Sequence, residues 1–562
     1  MARSLRSNAA MSAPRRAQWR ALGLTDEDFK KPKIAVVNSS SELAICFSHL
    51  DGVAKVVKDA IREAGGLPFE VRTTAPSDFI VAAGKGGGYI LASRDLVTND
   101  IEAQVEGAQL DGMVCLCSCD KTPPGQLMAA ARLNIPTLLV IGGYQPAGEL
   151  NGEHVDIEDV FLASVHARLG RVSNQDLDAM ADNAIRGPGV CAGMATANSM
   201  AVVVEALGMC LPGNAPVAAN SERMFDYARA AGRRIVQMVD EDLKPRDILS
   251  RGAFRNACAS VLAVAGSINC VKHLQAVAVE AESGVDVFGL FEELSEKIPV
   301  LSAVRPNGAD LIEDFDAAGG ARAVLKQLGD LIDPSAMTCT GNTLAQNLDG
   351  FEVADPEVIR PTSRAFCDKP PIVILKGSLA PESAIAKMGL RNTLDRPETF
   401  DGVAIVYETG PGALDGIAGG EVKPGHVLIA RNQGLKGGPG MAGGAAAIVF
   451  AIDGAGLSRD VAFVTDGQLS GLCNKGLTIA EVSPEAATGG PIGLVRDGDR
   501  ITIDVDARSL ELHVPAEELA RRRAETPRPL NPTSGWLSIY RDDVQPMGRG
   551  AVLAAPPASQ PG

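Results

Sequence analysis

Three cysteines, Cys46, Cys119 and Cys191, stand in segments whose composition indicates a binding site: SELAICFSHL, VCLCSCDKTPPG and GPGVCAGMATANSM. Cys119 is followed directly by Asp120 and Lys121, so a soft thiolate lies beside hard oxygen and nitrogen groups. Thiolates suit iron–sulfur clusters or zinc, whereas carboxylates suit magnesium or calcium. This juxtaposition predicts two different metals that act on one substrate.

The wide spacing of these cysteines is wrong for a zinc finger, which needs close pairs of ligands. Scattered thiolates can instead hold a cluster in which one iron has no protein ligand and acts as a Lewis acid. Other cysteines lie in apolar segments and are interpreted as buried small side chains; they are Cys115, Cys117, Cys210, Cys258 and Cys270. His49 is either a neighbour of the site or a half-buried histidine with its own hydrogen bond.

The composition indicates a globular enzyme of two or more domains, because 562 residues are too many for one hydrophobic core. The net charge of -16, without a basic patch beyond the N-terminal segment, argues against nucleic acid as a partner. No apolar run approaches the roughly 20 residues that cross a bilayer. Eleven unevenly spread cysteines do not resemble a secreted disulfide framework. We therefore expect a cytoplasmic protein with reduced thiols and no membrane partner.

Alternating strand and helix patterns predict a parallel α/β domain over residues 31–360, rich in helices after residue 190. The strands are predicted at KIAVV, LPFEVRT, GMVCLCSC and PTLLVIGG, with helices between them. In such sheets ligands bind at the carboxyl ends of strands. Cys119, Asp120 and Lys121 fall at one of these ends, which supports a site there.

A turn-rich and proline-rich segment at residues 355–371 predicts a linker. Beyond it, short strands between Gly/Pro turns predict a mainly-β barrel domain over residues 370–550; these strands are PIVILKG, GVAIVYE, HVLIARN, DVAFVTDG, DRITIDVD and SLELHV. Residues 1–30 are expected to form an N-terminal extension and residues 551–562 a loose tail. The predicted fold class is α/β, with a C-terminal β-barrel.

Several segments closely resemble the dihydroxy-acid and sugar-acid dehydratase family, which includes phosphogluconate dehydratase. They include CDKTPPGQLMAAARLNIPT, GVCAGMATANSMAVVVEALGMCLPGNA, LKGGPGM and VSPEAATGGPIGLVRDGDRITID, and the likeness runs from about Leu22 to Val514. The resemblance implies removal of water from a 2,3-dihydroxy acid to give a 2-keto acid. It also implies an active site at a dimer interface, hence a homodimer or a dimer of dimers.

The resemblance assigns an iron–sulfur cluster to Cys46, Cys119 and Cys191. Members with a two-iron cluster have a cysteine four residues before the Leu or Phe that closes the first cysteine motif. Cys46 and Leu50 match that placement. We therefore expect a [2Fe–2S] cluster, with [4Fe–4S] as the alternative.

The resemblance further implies that Asp78 and Asp120 bind Mg²⁺ (or Mn²⁺), with Lys121 carbamylated into a third carboxylate-like ligand. It identifies Ser470, within TDGQLSG, as the base that removes a proton from C2. A serine hydroxyl is a poor base unless a nearby cation stabilises its alkoxide. The metal would hold the substrate carboxylate and C2 hydroxyl, and the cluster would draw electrons from the C3–O bond.

The chain departs from the family pattern around the second metal and the substrate. A glutamate that binds metal in relatives corresponds to Gly443, and Gln433 replaces the acid of the family's YEG. Gln468 stands where the family has arginine, and Glu481 where it has histidine. A lost carboxylate leaves a divalent ion less neutralised and more weakly bound.

These departures favour a sugar acid or a short polyhydroxy acid over the branched-chain precursor, so the first hypothesis is a hydro-lyase that forms a 2-keto-3-deoxy acid. The alternatives are the dihydroxy-acid dehydratase of branched-chain amino-acid biosynthesis and a non-catalytic paralogue that keeps the cluster for structure or for sensing oxidants. A zinc protein is a distant third hypothesis.

Overall fold

The protein is described from a computed structural model that covers residues 12–391, 398–440, 443–525 and 533–553. Its N-terminal half contains the strands β1 (Lys33–Asn38), β2 (Leu67–Arg72), β3 (Gly112–Cys117), β4 (Thr137–Ile141), β5 (Gly148–Leu150) and β6 (Glu153–Val155). The helices that precede β5 are α1 (Ala13–Ala21), α2 (Leu50–Glu63), α3 (Asp78–Val81), α4 (Tyr89–Val105) and α5 (Thr122–Leu133).

A second set of helices follows β6 and carries most of the apolar core of this half. They are α6 (Ile157–Arg168), α7 (Asn174–Asn183), α8 (Thr196–Ala206), α9 (Glu222–Glu241), α10 (Pro245–Ile248), α11 (Arg251–Ala263), α12 (Asn269–Glu280), α13 (Val287–Leu294), α14 (Ile312–Ala317), α15 (Gly320–Leu328) and α16 (Leu344–Leu348). Every residue of α8 is buried, and α11 and α12 are nearly so. Helices that are apolar on all faces belong in the interior of a domain.

The N-terminal sheet is parallel, with strand order β2-β1-β3-β4. Its two central strands are buried along their whole length, as expected where helices cover both faces. The chain leaves β3 through a sharp turn and enters α5, whose first turn contains Pro123 and Pro124. Proline suits the first turn of a helix because the N–H groups there have no partner within the helix. This turn carries Cys119, Asp120 and Lys121.

The C-terminal half contains an eight-stranded sheet of order β14-β13-β9-β10-β11-β12-β8-β7. The strands are β7 (Ile372–Leu375), β8 (Ser383–Lys387), β9 (Thr399–Tyr407), β10 (His426–Ala430), β11 (Ala462–Thr465), β12 (Leu477–Ser483), β13 (Arg500–Asp504) and β14 (Ser509–Leu512). Helices α17 (Gly410–Ala418), α18 (Gly443–Gly454), α19 (Ala516–Glu525) and α20 (Trp536–Asp543) accompany them. The edge strands meet where Lys376 exchanges backbone hydrogen bonds with Arg508 and Leu510. The sheet is therefore a nearly closed barrel.

The predicted fold class is confirmed, with differences in detail. The six strands predicted for the barrel correspond to β7, β9, β10, β11, β13 and β14. Two strands of the barrel were missed, β8 and β12, and both are buried over every residue. The short hairpin of β5 and β6 in the N-terminal half was also not predicted. Helices α17 and α18 also interrupt the mainly-β pattern.

Both ends of the described chain pack on the N-terminal half. Trp19 of α1 lies 5.0 Å, ring centre to ring centre, from Phe69. The guanidinium of Arg94 donates a hydrogen bond of 2.6 Å to the carbonyl of Ala551, which is fully buried. The expected loose tail thus begins with packed residues, and residues 554–562 lie outside the described chain. Among the described helices, none is both long and apolar enough to span a membrane.

Candidate active site

One cavity of about 460 Å³ lies where the N-terminal half meets the loop after β11. Residues from segments that are far apart in the chain reach this cavity. Six of the seven residues singled out from the sequence line this cavity: Cys46, Asp78, Cys119, Asp120, Cys191 and Ser470. The seventh, Lys121, is fully buried next to two of them. The structure thus brings the whole predicted set together.

Cys119 lies at the carboxyl end of β3, in a left-handed backbone conformation with φ of 59°. Non-glycine residues rarely adopt this conformation, and where they do the strain often belongs to a functional site. The preceding Ser118 fixes the turn, because its backbone N–H donates to Thr122 Oγ1 at 2.8 Å. Ser118 Oγ also donates to the carbonyl of Cys46 at 2.5 Å, which holds two cysteine segments together.

Cys46 occupies the turn that leads into α2 and is buried. His49, at the N-terminus of the same helix, donates through Nε2 to the carbonyl of Gly142 at 2.6 Å. Burial lowers the pKa of His49, so the neutral ring predominates. His49 is therefore a buried histidine with its own hydrogen bond, and it holds the Cys46 turn against the end of β4.

Cys191 lies in a loop where glycine permits close packing. A Cβ atom on Gly189 would stand 2.6 Å from the backbone of Tyr144, and the φ of Gly189 is 113°. On the other side, Asn198 Nδ2 donates to the carbonyls of Cys191 and Gly193 at 2.8 and 2.7 Å. The loop is thus fixed by the backbone on one side and by helix α8 on the other.

The three thiols lie beside more carboxylates than cations. Hydrogen bonding from the Cys119 thiol lowers the pKa of Cys46, while the same contact and burial raise the pKa of Cys119. Burial raises the pKa of Cys191 as well, with the charges of Asp120 and Glu158 adding to it. No disulfide joins cysteines among the described residues. Three thiols around one cavity, two of them in contact, fit a metal centre that would supply the missing positive charge.

A cluster of two carboxylates and one lysine lies beside the thiols. Lys121 Nζ is 2.8 Å from Asp78 Oδ2 and 4.0 Å from Asp120 Oδ2. Burial disfavours the charge of Lys121, but the two carboxylates outweigh it and raise the pKa of the lysine. Burial and the charge of Asp78 raise the pKa of Asp120 to about 7. Asp78 Oδ1 has no hydrogen-bond partner in the described part of the chain, so it can bind a cation.

Ser470 reaches the cavity from the loop that follows β11. Its Oγ accepts a hydrogen bond of 3.2 Å from the backbone N–H of Leu472. The neighbouring Gly471 packs closely, since a Cβ there would lie 2.7 Å from Ser267 Oγ and 3.2 Å from the backbone nitrogen of Thr196. The N-terminus of α8 therefore lies beside the serine. Partial positive charge at a helix N-terminus favours anions nearby.

The positions that depart from the family pattern lie around the glycine-rich loop that follows β10. Gln433 Nε2 donates to backbone carbonyls, among them that of Arg431 at 3.1 Å. Gln468 is fully buried, and its Oε1 has no hydrogen-bond partner among the residues described. Gly443 begins α18, and its surroundings lie outside what the structure describes. Neither Gln433 nor Gln468 lines the cavity.

Glu481 does not replace the missing carboxylate. Its Oε1 is 2.6 Å from Nζ of Lys272, and both side chains are fully buried. Lys272 Nζ also donates to Asn269 Oδ1 at 2.7 Å, and Asn269 Nδ2 donates to Thr196 Oγ1 at 3.0 Å. Asp120 accepts a hydrogen bond from Thr196. Glu481 is thus linked to the carboxylate cluster only through this chain of polar groups.

Two features of the cavity were missed from the sequence. Glu158 contributes a further carboxyl group, and the remaining wall is mostly apolar, with side chains from α3, α6 and the segment before Cys46. The apolar residues include Leu43, Ile45, Phe79, Ile80, Phe161 and Ile185. The sequence did contain a signal for this apolar wall. Ile45 directly precedes Cys46, and Phe79 and Ile80 directly follow Asp78, although large apolar residues are unusual in polar segments.

Comparison with known proteins finds one family that matches nearly the whole chain. Residues 31–347 match the N-terminal domain of the dihydroxy-acid/6-phosphogluconate dehydratase family, and residues 357–551 match its C-terminal domain. The chain belongs to this dehydratase family. The resemblance found from the motifs is confirmed. The dehydratase is a hydro-lyase that acts on dihydroxy acids.

Several curated relatives are similar to this dehydratase over nearly their full length. The dihydroxy-acid dehydratase of Pyrococcus abyssi is 42% identical over 544 residues, which is 96% of this chain and 98% of the relative. The dihydroxy-acid dehydratase of Ignicoccus hospitalis is 42% identical over 548 residues, with the same coverage of each chain. That of Moorella thermoacetica is 41% identical over 545 residues, again with 96% and 98% coverage.

Proposed function

We propose that this dehydratase removes water from a short 2,3-dihydroxy acid with an apolar alkyl chain and produces the corresponding 2-keto acid. The observation that carries the proposal is the cavity itself. Its polar side chains are confined to the thiols, the carboxylates, Gln145, Ser77 and Ser470, while most of the remaining wall is aliphatic or aromatic. Such a wall stabilises alkyl groups and leaves the hydroxyls of a longer sugar acid without partners.

The proposed substrate is of the branched-chain type, whereas the departures from the family pattern in the sequence favoured a sugar acid. Those departures, at Gln433, Gln468 and Glu481, lie away from the cavity wall and do not enlarge or polarise it. The relatives at 40–42% identity are also named dihydroxy-acid dehydratases. Both observations support the same substrate class.

We propose that Cys46, Cys119 and Cys191 hold an iron–sulfur cluster, [2Fe–2S] by the placement of Cys46 or [4Fe–4S] as the alternative. Asp78, Asp120 and a carbamylated Lys121 would hold Mg²⁺ or Mn²⁺. A carbamate exchanges the positive charge of Lys121 for a negative one, so three anionic groups would then face a divalent cation. When bound, these groups supply Lewis-acid polarisation of the C3–O bond and of the carboxylate and C2 hydroxyl.

The protein's own residues would bind, orient and deprotonate the substrate. Ser470 takes the proton from C2, and the adjacent N-terminus of α8 favours the alkoxide that this role requires. The apolar wall holds the alkyl chain and excludes water from the reacting carbons. Loss of the C3 hydroxyl gives an enol, which becomes the 2-keto acid.

The decisive experiment is a substrate panel assayed with anaerobically reconstituted protein, with and without added Mg²⁺. We expect 2,3-dihydroxy-3-methylbutanoate to be the best substrate, ahead of gluconate, arabinonate and glycerate. A Ser470→Ala variant is the control, because it should lose turnover while iron content and the cluster spectrum stay unchanged. A higher kcat/KM for gluconate would contradict the proposed substrate class. Absence of turnover throughout the panel would favour the non-catalytic paralogue.

We further propose that a second copy of the chain covers the mouth of the cavity. Among the described residues, eight large apolar side chains are exposed, and five of them line this cavity: Leu43, Ile45, Phe79, Ile80 and Ile185. A concentrated apolar patch marks an interface rather than a solvent-facing surface. Ile45→Asp should therefore dissociate a homodimer in analytical ultracentrifugation, whereas Ile539→Asp, exposed elsewhere, should not. A wild-type monomer at micromolar concentration would contradict the proposal.

A further inference from the structure

Glu158 is a carboxyl group in the cavity to which none of the roles above is assigned. It lies in the first turn of α6, where its backbone N–H donates to Asp156 Oδ1 at 2.7 Å. The side chain lines the cavity together with Cys191 and Asp120, and only 8% of the residue is exposed. A buried carboxyl group is costly unless it is paired or hydrogen-bonded.

The environment of Glu158 leaves one of its oxygens without a protein partner. Oε1 is buried and has no hydrogen-bond partner among the described residues. The carboxyl group packs directly on Gly193, because a Cβ atom there would stand 2.9 Å from Oε1. The Glu158 carboxyl group therefore lies over the loop that carries Cys191, which is two residues before Gly193 in the sequence.

The charges around Glu158 are mostly negative. The charges of Asp156, Asp159 and Asp120 disfavour its ionisation, and the charge of Arg305 opposes them. Arg305 is already paired with Asp159, at 2.7 Å. Burial, followed by these charges, raises the pKa of Glu158 well above its ordinary value. Burial and the surrounding carboxylates thus favour the protonated form of this carboxyl group, and its unpartnered Oε1 is available to a ligand.

We propose that Glu158 is a catalytic acid that donates its proton to the hydroxyl group leaving from C3. The inference rests on the proposed function. Hydroxide is a poor leaving group, and the oxygen that leaves C3 must gain a proton to depart as water, so a proton donor at this oxygen assists the dehydration. Glu158 lies on the thiol side of the cavity, where the C3 oxygen is expected, whereas Ser470 enters from the other half of the molecule.

The proton and electron balance closes with these two residues. Ser470 alkoxide takes the C2 proton, and the electrons of the C2–H bond form the C2–C3 double bond. The C3–O bond breaks with its electron pair on oxygen, and this oxygen takes the proton of Glu158 and leaves as water. The enol moves its hydroxyl proton to C3 through solvent. Proton transfer from Ser470 through solvent to the Glu158 carboxylate restores both groups.

The test compares Glu158→Gln with Glu158→Asp. Glutamine keeps the size and the hydrogen-bonding shape but cannot give up a proton, whereas aspartate keeps the acid on a shorter side chain. We expect kcat of E158Q to fall by about 10²–10⁴-fold, the usual contribution of a general acid, and E158D to keep at least about ten times the turnover of E158Q. Glu153→Gln, an exposed residue of β6, is the matched control and should keep wild-type kcat.

Two further measurements separate catalysis from folding and cofactor loading. Turnover is expressed per bound iron, so a variant with less cluster remains comparable. The 2-hydroxy acid that lacks the C3 hydroxyl should inhibit wild type and E158Q with Ki values within about twofold of each other, because it offers Glu158 no leaving oxygen.

The inference is overturned if E158Q keeps kcat within threefold of wild type, or if E158D is no more active than E158Q. It is also overturned if E158Q weakens binding of the inhibitor as much as it lowers kcat. Wild type that turns over none of the panel would refute the proposed function itself, which distinguishes the two failures.

Discussion

Two buried lysines near the cavity, Lys121 and Lys272, differ in what surrounds them. Lys121 faces two carboxylates that border the cavity, and these raise its pKa although the lysine is fully buried. Lys272 lies behind the cavity wall with one carboxylate partner, Glu481, and burial lowers its pKa to about 8. Both lysines belong to the same polar network, connected through Thr196.

The difference shows which buried charges are available for chemistry. The Lys121 cluster has an unpaired carboxylate oxygen on Asp78 and borders a space that a ligand can fill. The Lys272–Glu481 pair is sealed, so it contributes to the fold and to the orientation of its neighbours. Substitutions should therefore affect turnover in the first region and stability in the second.

The largest effect is expected for Lys121→Met. Loss of a proposed ligand of the second metal should remove several kcal/mol of transition-state stabilisation, which corresponds to at least about a 10³-fold fall in kcat/KM. Lys55→Met, an exposed lysine of α2 that pairs with Asp59, is the control and should keep wild-type kinetics. Steady-state kinetics with added Mg²⁺ measures both. Equal turnover of K121M and wild type would remove the distinction between the two regions.

Lys272→Met should act on stability instead. It leaves Glu481 buried without its partner, which typically costs about 3–5 kcal/mol in the free energy of unfolding. The double variant Lys272→Met/Glu481→Leu should recover most of that loss, because a buried ion pair can be replaced by apolar groups at little cost. Denaturant titration of the three proteins checks this. If K272M unfolds at the wild-type midpoint, the pair is not structural.

Lys387 of β8 is a third buried lysine, and its described surroundings provide no carboxylate at ion-pairing distance. Its Nζ donates to the carbonyl of Ala265 at 3.2 Å, and burial lowers its pKa to about 8 from the ordinary 10.5. Below pH 8 the cost of burying the charge is fully present in the folded state. Between pH 8 and 10.5 the unfolded chain binds more protons, so this contribution to stability rises with pH.

The measurement is the free energy of unfolding of Lys387→Met minus that of wild type, as a function of pH. The stability advantage of the variant should shrink by about 3 kcal/mol as pH rises from 8 to 10.5. Taking the difference removes the titration of other groups. A pH-independent difference would mean that Lys387 keeps an ordinary pKa.

The smallest effect is expected where the two regions are connected. Thr196→Val removes the hydroxyl that bonds Asp120 and Asn269, which should cost about 1–2 kcal/mol of stability and about tenfold in kcat. Thr137→Val is the matched control, because its buried hydroxyl donates only to Ile135 and lies away from the cavity. We expect similar destabilisation there with unchanged kcat. Unchanged kcat in T196V would show that the two regions are independent.

The residues that line the cavity could be predicted from the sequence much better than the buried Lys272–Glu481 pair. Cys119 was recognisable because a strand pattern ends at a thiol followed by an acid and a lysine. The roles expected for Asp78 and Ser470 came from family motifs, and the structure places both residues at the cavity. By contrast, no local sequence pattern identifies Glu158, because its place in the cavity depends on packing against Gly193.

The two barrel strands that were missed, β8 and β12, contain Lys387 and Glu481. A buried charge interrupts an apolar run, so the pattern that normally identifies a buried strand fails where such a charge is held. The partner of Glu481 lies on α12 in the other half of the chain. Pairings of this kind arise only when the two halves meet, which is why no local reading of the sequence finds them.

The last described residues have a consequence for how the polypeptide matures. The guanidinium of Arg94 is satisfied by Asp95 and by the carbonyl of Ala551, and Asp95 also accepts the backbone N–H of Leu553 at 3.3 Å. Arg94 therefore lacks one of its buried hydrogen-bond acceptors until Ala551 has packed against the N-terminal half. An N-terminal fragment that lacks residues 551–553 should therefore be less stable than the same half within the whole chain.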